Sequence, residues 1–128
     1  MQFTNQEPLK DADRAHPIPD VWRPQLREIV KAFVRGDYGL SRAIPGVTPV
    51  TKATADQIRG YLTDFGDSLV ELPDETWDSS VSQWMGTHWD VLVDLWTIKS
   101  GRSDLVLNVH VFESNKAFRF EVDSVHVP

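Results

Sequence analysis

The sequence predicts an α+β fold, with two helices packed on one face of a four- to five-stranded antiparallel meander sheet. Three observations carry this. In two stretches of the first half, apolar residues recur at spacings of three and four, the period of a helix with one buried face. From Asp67 onward the period changes to two, as in half-buried strands. No helical stretch separates the strands of this second half, so neighbours are joined by turns and pair antiparallel.

The N-terminal part comes first. Residues 1–19 hold Pro8, Pro17 and Pro19 among polar residues without sustained periodicity, and read as a flexible or loosely docked arm. Residues 20–128 read as a single domain. Asp20 suits the cap of the first helix. Val21, Trp22, Leu26, Ile29, Val30, Phe33 and Val34 form its apolar stripe. Pro24 falls in the first turn, where a missing N–H costs little, and Gly36 is the expected stop. Arg23, Arg27, Lys31 and Arg35 make a basic ridge on a second face, expected to be solvated and paired with carboxylates such as Glu28. Residues 37–53 are a crossing loop. Thr54 is the expected cap of the second helix, with Ile58, Tyr61, Leu62 and Phe65 as its stripe and Gly66 as its end.

The strands follow. Ser68–Leu72 is expected as a short strand, then Trp77–Met85, His88–Ile98, Leu105–Glu113 and Phe118–Val127. Trp89, Val91, Val93 and Leu95 face one way, with Leu105, Leu107, Val109 and Val111, then Phe118, Phe120 and Val122. This is the face to receive the helices. Val125 and Val127 break the alternation, which predicts a bulge near Asp123-Ser124. A hairpin centred on Gly101 would set Asp94 opposite Asn108 and Leu92 opposite His110. A turn at Ser114-Asn115 or Asn115-Lys116 would bring Arg119 or Glu121 beside His110.

Composition bounds the function. The chain has 128 residues, 41% hydrophobic and 25% charged, ordinary values that exclude wholesale disorder. The net charge of −6 argues against nucleic acid and anionic membrane as partners and is compatible with a basic protein. There is no cysteine, which excludes disulfides, thiolate metal sites and a thiol nucleophile. The first residues lack the apolar core of a secretory signal, and no run approaches the about 18–20 apolar residues of a membrane span. A cytoplasmic location is expected.

The outer sheet face carries the chemistry. Asp90, Asp94, His110, Glu121 and Asp123 form a carboxylate–imidazole set of the kind that binds a divalent ion or moves a proton. No dedicated ligand spacing is present, so a solvated face balanced by Arg119 is the plainer reading, and neither metal nor cofactor is expected. No phosphate-binding glycine loop, zinc-protease or serine-hydrolase motif occurs. Trp84, Trp96 and Phe112 are placed on the same face, where large aromatics beside acidic groups suit protein recognition.

The segments PDVWRPQLREIVKAFVRGDY, QIRGYL, WMGTHWDVLVDLWT, GRSDLVLNVHVFE and FRFEVDSVHVP resemble a family of small bacterial proteins of unknown function, from about residue 17 onward. The resemblance implies a bacterial, cytosolic, single-domain protein and no activity. Size and acidity are similar in type, though not in motif, to those of immunity proteins that neutralise a toxin. The expected function is a non-enzymatic, immunity- or antitoxin-like protein. It would cover a basic toxin with Trp84, Asp90, Asp94, Trp96, His110, Phe112 and Glu121. The alternatives are a ligand-binding or enzyme domain with a pocket lined by Trp22, Trp89 and His88, and a protein that forms homodimers through the outer face.

Overall fold

The structure, a computed structural model, describes residues 7–128. Five strands form one antiparallel sheet in chain order: β1 (His16–Pro17), β2 (Val81–Trp84), β3 (Trp89–Thr97), β4 (Gly101–Ser114) and β5 (Ala117–His126). Helices α1 (Arg23–Val34) and α2 (Lys52–Phe65) precede the long strands. The α+β meander is as expected. The edge strand differs: it is His16–Pro17, paired with Ser82 and Val81. The expected Ser68–Leu72 strand shrinks to a bridge between Leu69 and Thr97.

Local chemistry explains where the helices begin and end. Asp20 does not cap α1; its carboxylate pairs with Arg23 at 3.0 Å, and a 3-10 turn over Asp20–Trp22 leads into the helix. Gly36 follows α1 at φ 82°, a conformation that a side chain would oppose. The cap of α2 is Thr51, three residues before the expected Thr54: the Thr54 N–H donates to Thr51 Oγ1 at 3.2 Å. Gly66 closes α2 in the left-handed region.

Apolar faces of both helices and the inner sheet face make one core. Trp22, Leu26, Ile29 and Ile58 are fully buried against Val91, Val93, Leu95, Leu105, Leu107, Val109 and Val111. Trp22 meets Trp89 edge-on at 5.1 Å between ring centres. The basic ridge is partly drawn into this packing. Arg27 donates to the Leu72 carbonyl at 2.8 Å, Arg23 to the Ile18 carbonyl at 2.9 Å, and the two guanidinium groups lie over the Trp77 ring.

Residues 7–19, expected in the arm, join the domain. Ile18 is fully buried, Trp89 Nε1 donates to the Leu9 carbonyl at 3.0 Å, and Lys10 pairs with Glu113 at 3.0 Å. Residues 1–6 of that arm lie outside the described residues.

The second expected strand is shorter than Trp77–Met85. Asp74–Asp78 forms a 3-10 turn that covers β3 where β2 has ended. There the Thr76 hydroxyl donates to the Asp94 carbonyl at 2.6 Å, and Ser80 Oγ accepts from the Asp94 N–H at 2.9 Å. These side chains replace a neighbouring strand and leave few edge groups unpaired.

Candidate functional site

Strand alternation and register set the outer face. On β3 the even-numbered residues point outward, and the period extends back to His88. The β3–β4 ladder pairs Asp90 with His110 and Leu92 with Asn108, a two-residue correction to the expected Leu92–His110 pairing. The cause is the position of the turn: Thr97 pairs with Gly101, which centres the hairpin on Lys99 instead of Gly101, and the irregularity between Asp94 and Trp96 takes back half of that shift. Opposite it Ser103 turns inward, its hydroxyl donating to the Leu95 carbonyl at 2.7 Å and accepting from the Leu105 N–H at 3.1 Å. An even slip preserves the faces, so the inside–outside assignment survives it.

The β4–β5 turn is Asn115-Lys116, both residues with positive φ (50° and 65°), as a tight hairpin turn requires. It sets Glu121 opposite His110 and Arg119 opposite Phe112, resolving the two registers left open by the sequence. The bulge on β5 falls where expected: Asn108 pairs with Ser124 and Val109 with Val122, so Asp123 drops out of the ladder.

At the centre of this face Asp90 stands between two imidazoles. His110 Nε2 lies 3.1 Å and His88 Nε2 3.3 Å from the same oxygen, Asp90 Oδ1. The two rings are 4.6 Å apart, and the His88 ring lies 5.1 Å from Phe112. Thr87 Oγ1 is 2.9 Å from His88 Nδ1. Asp90 Oδ1 is shielded from solvent yet has no hydrogen-bond partner. Both nitrogens are near enough, but neither ring N–H is aimed at the oxygen.

The other expected residues fall around this centre with different roles. Phe112 is half-buried beneath the Arg119 guanidinium, 4.6 Å from its ring centre. Glu121 pairs with Arg119 at 3.0 Å. Asp94 is tied to the covered edge, accepting a short hydrogen bond from Ser79 Oγ, and stands apart from the imidazoles. Trp96 is half-buried beside Gly101, and its Nε1 is buried without a partner. Trp84 is corrected to the inner face. It pairs with Trp89 in the ladder, their rings lie 4.7 Å apart, and Lys10 of the arm sits over it at 5.2 Å.

The alternative pocket of Trp22, Trp89 and His88 does not form. The two indoles fill the core, while His88 lies on the opposite side of the sheet with His110. The expectation for His88 is thus reversed, as is that for Trp84. For His88 the signal was present: it lies two residues before Asp90, which on a strand is the same face. No described helix is long and apolar enough to cross a membrane.

Residues 30–128 match the sequence model of a domain of unknown function. No curated protein and no solved structure matches the chain.

Proposed function

The chain belongs to that family, DUF7668, which brings no activity with it, and from its geometry we propose a non-enzymatic binding protein that docks a basic protein on its outer sheet face. Neutralisation of a toxin, as by an immunity protein, is the specific form of this reading. The observation that carries it is the contrast across the sheet. The inner face lies under the helices, while the outer face presents Leu92, Trp96 and Phe112 half-buried or more exposed, with Asp90, Asp94 and Glu121 among them. Aromatic groups supply area that a partner desolvates, and carboxylates speed encounter with a positive surface. Arg102 and Arg119 share the face, so its acidity is modest, and the aromatic groups are assigned most of the affinity.

The test is capture from a lysate of the native host on immobilised wild-type protein and on a Trp96→Ala/Phe112→Ala variant. A basic protein held by the wild type and released by the variant is expected. A soluble wild type that retains no protein while binding a small metabolite would sink the proposal. A dimer in solution that the same two substitutions dissociate would replace the foreign partner with a second copy of this chain.

A further inference from the structure

We propose that His88, Asp90 and His110 form a binding site for a divalent transition-metal ion, with Nε2 of each imidazole and Oδ1 of the carboxylate as its protein ligands. The site stands independently of the partner-binding reading.

The distances support it first. Bonds of about 2.0–2.2 Å to one ion separate its ligand atoms by about 2.8–3.6 Å, from octahedral to tetrahedral arrangements. The two Nε2–Oδ1 distances are 3.1 and 3.3 Å, and each of the three residues offers a ligand atom within 4.8 Å of the other two. Direction supports it next. A protonated imidazole held by Asp90 would aim its N–H at the carboxylate. Here Oδ1 is buried with no hydrogen bond, and such an atom is destabilising when nothing satisfies it. An ion among the three atoms satisfies all of them at once.

The surroundings agree. Thr87 Oγ1, 2.9 Å from His88 Nδ1, can accept the Nδ1 proton, fix the ring and leave Nε2 with a free lone pair. Asp90 and His110 are held by direct cross-strand pairing, and His88 sits at the start of the same strand. The ligand side chains are 22–30% exposed, so the outward side of an ion is open to water or to a group from a partner.

Two imidazoles and one carboxylate select borderline ions such as Zn²⁺, Co²⁺ or Fe²⁺ over Mg²⁺ or Ca²⁺. Three protein ligands with an open side match the pattern of a site that retains an exchangeable position, whereas a structural zinc is closed by four.

The experiment is calorimetric titration of tag-free, chelator-stripped protein with Zn²⁺ alone, and visible spectroscopy with Co²⁺. One ion per chain is expected. The Co²⁺ complex should show d–d absorption with imidazole nitrogen in the coordination sphere. His88→Gln, Asp90→Asn and His110→Gln should each weaken Zn²⁺ by at least the about tenfold that loss of a supporting group costs in other sites. His126→Gln, at a histidine next to Ser124 and away from the cluster, should leave binding unchanged. Circular dichroism on every variant separates lost folding from lost ligands, and Asp90→Asn changes least in shape. Wild-type protein that takes up no Zn²⁺ at about 100 μM, or binding that survives all three substitutions, overturns the site. Partner capture repeated in chelator reads the protein-binding proposal separately.

Discussion

The two faces of the same three long strands differ in almost everything but length. Inside, from Val91 to Leu95 and from Leu105 to Val111, every inward side chain is fully buried and apolar. Outside, one residue along at each step, the same strands carry Asp90, Leu92, Asp94, Trp96, the buried Val106, Asn108, His110 and Phe112. Of these, Asp90, Trp96 and Asn108 each have a buried polar atom without a partner. Packing explains the inner strand residues, although the core they join also holds the unpaired indole nitrogens of Trp22 and Trp77. It does not explain the outer face, because a face selected only for solubility has no use for carboxylate and amide oxygens held out of water and unpaired. The inner face is therefore the scaffold, and the outer face is where function is sought.

The largest effect that sharpens this contrast is at Trp89. It is 1% exposed and touches Trp22, Trp84 and Phe118, so Trp89→Ala should cost about 3–5 kcal/mol. Leu92→Ala, on the outer face three residues on, should cost about 1 kcal/mol or less. Urea unfolding of both variants checks the pair. Equal costs would mean that the outer face is itself packed, by something beyond the described residues.

Next in size is Thr76. It is fully buried, and its hydroxyl donates to Asp94 at the stretch of β3 that no strand covers. Thr76→Val keeps the shape and strands a carbonyl, at about 1–3 kcal/mol. The loss should be accompanied by faster hydrogen exchange at Asp94 and Trp96 than at Asp90 and Leu92, which β2 protects.

The contrast also shows what the sequence could disclose. Period-two alternation identified the inner face because burial is a property of every second residue, and the broken alternation at Val125 placed the bulge. Gly36 and Gly66 marked helix ends because few other residues tolerate the left-handed backbone there. What alternation cannot encode is register. The β3–β4 offset is set by where the turn closes, with Thr97 opposite Gly101, and by the irregularity opposite Ser103 that takes half of it back, neither of which has a periodic signature. The sequence therefore marks both Asp90 and His110 as site residues but does not set them opposite each other. The face of His88 follows from its spacing of two to Asp90, but its place beside His110 emerges only once the offset is known. Trp84 and Trp77 were misread for a related reason. A tryptophan satisfies either a strand or a 3-10 turn, and either face, so only its neighbours decide.

A smaller effect tests the hairpin that aligns the outer face. Lys116 has φ 65°, where a side chain is disfavoured by about 1–2 kcal/mol. Lys116→Gly gives the favoured Asn-Gly turn. Part of the relief is offset by the greater freedom of glycine in the unfolded chain, so a gain of about 1 kcal/mol or less is expected. Zn²⁺ affinity should be unchanged, since the Asp90–His110 pairing already exists. A variant that gains stability and loses the ion would mean that strain in this turn positions His110.

The smallest effect concerns acid. The Asp37 carboxyl is held below its ordinary value of 3.8, first by the hydrogen bond from the Ser41 N–H, then by the Ser41 hydroxyl and the Arg42 N–H. It lies at the end of α1, far along the chain from the outer strands. A carboxyl with a depressed folded pKa contributes stability that is present above its unfolded value and is lost as pH falls through the folded one. The difference in urea midpoint between wild type and Asp37→Asn should therefore be constant near neutrality and shrink below about pH 4. The group is exposed, so the difference is expected to be small and to weaken with salt. Should the two proteins lose stability in parallel throughout the acid range, the acid response does not come from this loop.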